Sequence, residues 1–520
     1  MKKSLLILLL IVQSLILQSQ TVHWQKLYGG TDSDKGTCFL SPSPVIYPSP
    51  GLIIGGYYKS VDGDFTSNQG NYDATVMSIN PNNGDILWQT TFGGSNADYI
   101  YDITFIGSDI YVVGATKSND GDITSGHGNY DYLVAKLDIN GNLIWVKTFG
   151  GSDIDKATSV IVVNSTIKVL GYSKSIDGDI ATGSNHGGYD IWLLNLDTDG
   201  NILSQHTYGG SNDDKSVEFN KNVEYDGNII TAYSKSNDGD LTTNHGNYDY
   251  WIFKIDTNDN IVWQQSYGGS GIDKDPHITN YSGMTFIAGT SNSTDGDITN
   301  PLGNFDIWFL EIDGQTGQLS NQTNIGGSGA DFATDIIDTP LVIRNSSAPI
   351  GYIAAYSNSN DGHFTTNNGN YDSWLIGLDF SNNFNTLFHL GGDDVDELVS
   401  IDLNYLLGTT KSEDGSFNAQ HGSYDIWLTS EELPVDNGGI DQIKINVKTY
   451  PNPVTDFIQV EVPNIQKIEL FDINGKLVKS YKLPGLIDLA RIDISNLHNG
   501  EYLLKTTTKK GIGLNKITKK

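Results

Sequence analysis

The chain has 520 residues and a net charge of −31, with 31 basic and 62 acidic side chains. Arg344 and Arg491 are its two arginines, too few cations to neutralise a phosphate backbone, so nucleic-acid binding is excluded. Aromatic residues at 10% and apolar residues at 38% exclude a disordered chain, 58 glycines point to many turns, and the lone Cys38 excludes an intrachain disulfide.

Residues 1–20 read as a secretory signal peptide. Lys2 and Lys3 precede an apolar run over residues 5–12 and 15–17, the charged and hydrophobic parts of a Sec signal that leads to the periplasm. Gln13 and Ser14 interrupt the run, and no later stretch is long and apolar enough to span a bilayer, so no transmembrane span is expected in the mature chain. No cysteine stands directly after the run to carry a lipid anchor.

Residues 21–432 form a repeat array. A Gly-Gly pair recurs with first glycines Gly29, Gly93, Gly150, Gly209, Gly268, Gly326 and Gly391, 57 to 65 residues apart. Acidic residues follow each pair, and then a short apolar strand. A second strand ends in a small polar turn such as Ala115-Thr116-Lys117-Ser118. Asp-Gly comes next, then a Gly-x-aromatic-Asp element that opens a third strand, as at Gly128-Asn129-Tyr130-Asp131. An Asp/Asn/Gly turn leads to a fourth strand, such as Ile144–Phe149. Four antiparallel strands per repeat predict an all-β, seven-bladed β-propeller. The seventh unit lacks its fourth strand. Residues 22–28 supply one, because Trp24 precedes Gly29 as Trp88, Trp145 and Trp263 precede their own Gly-Gly pairs. The N-terminal strand is therefore expected to close the last blade and leave no open edge.

The aspartates carry the most chemically suggestive pattern. The pairs Asp62/Asp64, Asp120/Asp122, Asp177/Asp179, Asp238/Asp240 and Asp295/Asp297 flank a glycine. Asp73, Asp131, Asp190, Asp249 and Asp306 follow at the start of the third strand. Clustered carboxylates are hard oxygen ligands, which makes Ca²⁺ the candidate cation. The spacing departs from a helix–loop–helix calcium site in its glycine position and its final Asp, and His363 and Ser416 replace the second Asp in the last two units. The other reading gives these aspartates backbone N–H donors within tight turns. His127, His186, His245 and His421 share one repeat position on separate blades and are expected on surface loops. Ser118-Asn119-Asp120-Gly121 resembles the aspartate-box turn of sialidase propellers, but the downstream Trp is missing and the repeats hold Arg344 alone.

A linker over residues 433–445 separates a domain of opposite charge over residues 446–520. Residues 440–520 hold 13 basic and 8 acidic side chains, which leaves 18 and 54 to the rest of the chain. The stretch contains Tyr450-Pro451-Asn452-Pro453, Asn474-Gly475-Lys476 and Gly500-Glu501-Tyr502, and ends in Lys519-Lys520. This succession resembles the type A C-terminal sorting domain of the type IX secretion system of Bacteroidota. The resemblance implies a small Ig-like β-sandwich, with Pro451, Asn452, Pro453, Gly475, Lys476, Gly500 and Tyr502 as its motif residues. It also implies the type IX machinery as partner and a secreted or outer-membrane-surface destination.

Two functions fit the sequence. One is a non-catalytic binding or adhesion propeller with a surface glycan or protein ligand, favoured by near-identical blades and by tyrosines suited to such contacts. The alternative is a surface hydrolase acting on polysaccharide or peptide through carboxylates in the propeller channel.

Overall fold

A computed structural model describes residues 22–41, 51–65, 67–220, 227–281, 284–339, 349–379, 383–402, 404–417, 422–431, 447–472, 477–508 and 511–520. The signal-peptide and linker expectations fall outside these residues. The chain divides into two compact units, one holding the described residues up to 431 and the other those from 447 onward.

The first unit is a ring of seven four-stranded antiparallel sheets. Six blades use four consecutive strands. The seventh takes Asp396–Ile401, Tyr405–Thr410 and Asp425–Glu431 from the end of the array and Val22–Tyr28 from its start. The N-terminal strand pairs antiparallel with Asp425–Glu431, Leu27 opposite Trp427 and Tyr28 opposite Ile426. The expected closure is thus present, and it covers the edge that residues 425–431 would otherwise expose.

Burial follows position in the blade. The third strands are enclosed on both faces by neighbouring blades and read as continuous apolar runs, as in Asp190–Leu196 and Asp249–Ile255, where every residue is buried. Trp192, Trp251, Trp308 and Trp427 fill the same register position there and are fully buried. The fourth strands lie at the rim and are half-exposed. Their tryptophans lie across a hairpin glycine of the next blade. A Cβ at Gly84 would stand 2.8 Å from Trp24, and one at Gly141 2.4 Å from Trp88. Both glycines also have φ values near +80°, at 74° and 82°, so close approach and backbone conformation each require glycine.

The innermost strands begin at Asp34, Asp98, Asp155, Asp214, Asp273, Asp331 and Asp396. Every one carries a register shift within its first five residues, as at Ile100/Asp102 and Ser216/Glu218. Such bulges free backbone groups from the ladder and turn side chains toward the neighbouring strand. Cys38 is buried beside one of them.

The second unit is a small five-stranded β domain over Lys448–Tyr450, Phe457–Asp472, Leu477–Asp493, Gly500–Thr508 and Gly511–Lys519. The long second strand shifts register between Glu461 and Lys467, so its first half pairs with Lys448–Tyr450 and its second with Gly500–Thr508. Val454, Ile458, Ile468, Leu504 and Ile517 share one core inside it.

Candidate functional site

Each blade junction is built on an aspartate that stands five residues after the first glycine of its Gly-Gly pair: Asp34, Asp98, Asp155, Asp214, Asp273, Asp331 and Asp396, all fully buried. The N–H of the second glycine donates to the Oδ2 of this aspartate at 2.7–2.9 Å in all seven blades. The serine that ends the polar turn donates its Oγ–H to the same oxygen at 2.7–3.0 Å. The aspartate's own N–H donates to the carbonyl of the aromatic residue before the preceding blade's third strand, at 2.6–2.8 Å. One residue thereby ties a turn, its own blade and the blade before it. Sequence reading registered acidic residues after Gly-Gly without separating this one. Its invariant spacing, Gly-Gly-x-x-x-Asp, was the available signal.

The expected calcium candidates divide between two junctions. Asp62, Asp120, Asp177, Asp238 and Asp295 accept the N–H of the residue two after the first glycine, as do Asp361 and Asp414, at 2.6–2.9 Å. These backbone donors hold the carboxyls of Asp120, Asp177, Asp238 and Asp295 below the usual range. Asp64, Asp122, Asp179, Asp240 and Asp297 accept the N–H of the first glycine at 3.0–3.3 Å. His363 Nδ1 and Ser416 Oγ accept the same N–H at 3.1 and 3.3 Å where the second aspartate is missing. The position therefore demands an acceptor more than it demands a carboxylate.

Asp73, Asp131, Asp190, Asp249 and Asp306 belong to the following junction. A Cβ on Gly93 would meet Asp73 and Asp98, and one on Gly150 would meet Asp131 and Asp155. Asp73 is thus grouped with Asp98 and not with Asp62 and Asp64. Each of the five accepts the N–H of the residue four before it through Oδ2, at 2.5–2.6 Å. Their buried Oδ1 atoms have no hydrogen-bond partner. Among the described residues, no group of three His, Cys, Asp or Glu has the geometry to hold a metal ion. His186 and His245 place Nδ1 3.0 and 2.8 Å from Asp190 and Asp249, with rings about 40% exposed, at 42% and 38%. His127 stands 3.9 Å from Asp131, and His421 lies outside the described residues.

Burial is the main cause that pushes the carboxyls of Asp73, Asp131, Asp190 and Asp214 up to about 6. The neighbouring junction carboxylate adds to it for the first three, Asp98 beside Asp73, Asp155 beside Asp131 and Asp214 beside Asp190.

The channel inside the ring carries its own polar groups. Asp102, Glu218 and Asp335 lie at the bulges of the second, fourth and sixth inner strands. Each accepts a backbone N–H of the next blade: Val160 to Asp102 at 2.8 Å, Ile278 to Glu218 at 2.6 Å and Ile401 to Asp335 at 3.0 Å. His277 stands 3.8 Å from Glu218, which raises its pKa against the opposing effect of burial. At the strand-start end of the channel, a cavity of about 420 Å³ is lined by Lys35, Tyr57, Lys274, Phe332, Tyr356 and Glu397.

In the C-terminal unit, Asn452 clips the last strand. Its Nδ2–H donates to the Lys516 carbonyl at 2.8 Å and its Oδ1 accepts the Thr518 N–H at 2.9 Å. Pro451 and Pro453 flank it on the surface. Gly500 opens the fourth strand, and Tyr502 packs on the core while its hydroxyl donates to the His498 carbonyl at 2.8 Å. Gly475 and Lys476 lie outside the described residues.

Residues 448–520 match the family model for a secretion system C-terminal sorting domain, which supports export through the type IX system. No curated protein sequence matches the chain. Solved structures similar to it include a subtype N11 neuraminidase-like protein of A/flat-faced bat/Peru/033/2010 (H18N11), at 12% identity and a TM-score of 0.33, covering 78% of this chain and 96% of that one. Kuenenia stuttgartiensis hydrazine synthase is 10% identical with a TM-score of 0.35, covering 65% and 80%. A Synechocystis apocarotenoid oxygenase mutant is 14% identical with a TM-score of 0.35, covering 72% and 95%.

A folded-state pKa above the unfolded value makes folding favour the protonated carboxyl. The associated stability is present below about pH 4 and is lost as pH rises through about 6. Asp73→Asn keeps an acceptor for Gln69 and removes the buried charge. It should therefore gain stability on the order of 1–3 kcal/mol above pH 6, a gain that vanishes near pH 4 in urea titrations. Equal stability of the two proteins at both pH values would contradict this. Because backbone donors already occupy the Asp-Gly-Asp carboxylates, EGTA should leave the melting temperature of the purified protein unchanged. A fall of several degrees that Ca²⁺ reverses would favour the calcium reading.

Proposed function

We propose that this chain is a secreted or cell-surface, non-catalytic binding propeller, delivered by its C-terminal sorting domain. The reading includes a cleaved Sec signal over residues 1–20, passage through the periplasm and a type A signal of the Bacteroidota type. The ligand is a surface glycan or protein.

One observation carries the non-catalytic part. Of the carboxylates that the hydrolase alternative could use, Asp102, Glu218 and Asp335 sit at equivalent bulges and each accept an N–H from the next blade, and the two that line the cavity, Asp275 and Glu397, are paired with Lys274 and Lys35 at 3.1 and 3.2 Å. Such groups hold strands together, and a general acid or base would need its oxygen free to reach substrate. The fold itself offers broad loop faces on a rigid ring, a common basis for binding.

Deletion of residues 448–520 tests delivery. The truncated propeller should accumulate in the periplasm, with its surface and medium fractions falling at least about tenfold by immunoblot. Surface display at the full-length level would overturn the proposal. Binding is tested by screening the purified protein against glycan and surface-protein arrays alongside polysaccharide and peptide substrates. Retention without turnover is expected, and cleavage products would favour the hydrolase.

A further inference from the structure

The inner strands give up residues to the channel unevenly. In six blades the register shift leaves one residue outside the ladder, such as Thr37, Thr334 and Val399. In the fifth it leaves two, Asp275 and Pro276, between the Lys274/Thr290 and His277/Ala288 pairs. Pro276 has no N–H to give the ladder. Asp275 takes a φ of 54°, a left-handed conformation that is costly for a residue with a Cβ and disfavoured again before proline. Among the described residues it is the one non-glycine with positive φ inside an inner strand. Strain of this kind persists where the surrounding fold fixes a side chain in a place that function requires.

That side chain reaches into the channel. Its charge adds to the dominant effect of burial in raising the pKa of Tyr172, Tyr233 and Tyr356, on the third, fourth and sixth blades. With Lys274, Lys35, Glu397, Phe332 and Tyr356 it lines the 420 Å³ cavity. The charges there cancel one another. Lys274 pairs with Asp275 at 3.1 Å and Lys35 with Glu397 at 3.2 Å, and His277, which also lines the cavity, faces Glu218 at 3.8 Å. A charged ligand would have to compete with a partner already in place. A neutral one need not. An ammonium has three N–H donors and a carboxylate about four acceptor positions, so each pair keeps capacity for hydroxyl groups.

The apolar side of the cavity is aromatic. The half-buried rings of Phe332 and Tyr356 stack at 4.9 Å with 21° between their planes, and Tyr371 meets Tyr356 edge-on at 5.6 Å. A fixed aromatic face beside paired ions complements a pyranose, which offers C–H groups on its face and hydroxyls around its edge.

We propose that this cavity binds a neutral saccharide, one pyranose ring lying against Phe332 and Tyr356 with its hydroxyls bonded to the Asp275–Lys274 and Glu397–Lys35 pairs. The inference rests on the binding-propeller reading and names its ligand class. A cavity of about 420 Å³ is the size of an ordinary small-ligand site.

Saturation-transfer NMR and isothermal titration of the purified full-length protein provide the test, with cellobiose, lactose, mannobiose and chitobiose as neutral probes and digalacturonate and glucosamine as charged ones. At least one neutral probe should bind, and both charged probes should bind at least about tenfold more weakly than it does. Glycine takes the left-handed conformation without cost, so Asp275→Gly should lose at least about tenfold in affinity while its melting temperature holds or rises. Phe332→Ala should lose as much, and Phe332→Tyr should retain binding. Should Phe332→Ala fold poorly, Asp275→Gly still decides. Absence of binding by every neutral probe, a charged probe bound as tightly, affinity untouched by Asp275→Gly, or a lowered melting temperature in that variant would each overturn the inference. A neutral saccharide or a protein bound with no sensitivity to either position would overturn it and leave the binding reading intact. Cleavage of a probe would instead overturn that reading itself.

Discussion

A carboxylate removed from water must find donors, and in this propeller seven of them do so at seven equivalent places. Asp214 shows the pattern. Its Oδ2 takes the Gly210 N–H and the Ser236 hydroxyl, its Oδ1 takes the Ser234 hydroxyl, and its N–H reaches the Tyr189 carbonyl of the preceding blade. Charge-assisted bonds of this kind are stronger than neutral ones, and they satisfy turn N–H groups that would otherwise be orphaned. The Gly-Gly turn, the polar turn after the second strand and the start of the third strand are all positioned from this residue. At the ring closure Asp34 repeats the arrangement, donating its N–H to Tyr424 in the blade completed by the N-terminal strand.

The same junction explains an otherwise puzzling composition. Much of the acidic charge is spent inside the ring, in layers that receive backbone hydrogen bonds. The inner layer is buried and its pKa values rise, whereas exposed members such as Asp120 and Asp177 are held low by N–H donors. Blades stitched this way need neither disulfide nor large hydrophobic insertions to keep their order around the ring. Function can then sit on what varies between blades, as at the second residue of the inner strands, where lysine, tyrosine, phenylalanine and glutamate share one register position.

Much of the fold was legible because its signals are periodic. The Gly-Gly pairs, the buried third strands and the tryptophan before Gly29 predicted seven blades and their closure. The Pro451–Pro453 segment and its successors predicted a sorting domain at the place where residues 448–520 match one. The aspartate chemistry was less legible. Asp62, Asp64 and Asp73 lie close in sequence, but the chain turns between them and delivers Asp73 to the next Gly-Gly pair. Sequence proximity cannot register a contact between consecutive repeats. The lysine–tyrosine contacts were hidden for a similar reason: Lys215 and the Tyr189 ring it stands over come from successive blades.

If Asp214 is the organiser of its junction, hydrogen exchange on Asp214→Ala reads this most directly. Protection should fall at the Gly210 amide, at the Ser236 amide held by the Ser234 hydroxyl that Asp214 anchors, and at the start of the fourth blade, with a global loss of about 2–4 kcal/mol from stranded buried donors. Exchange at those amides indistinguishable from the unaltered protein, with no loss of stability, would contradict the account.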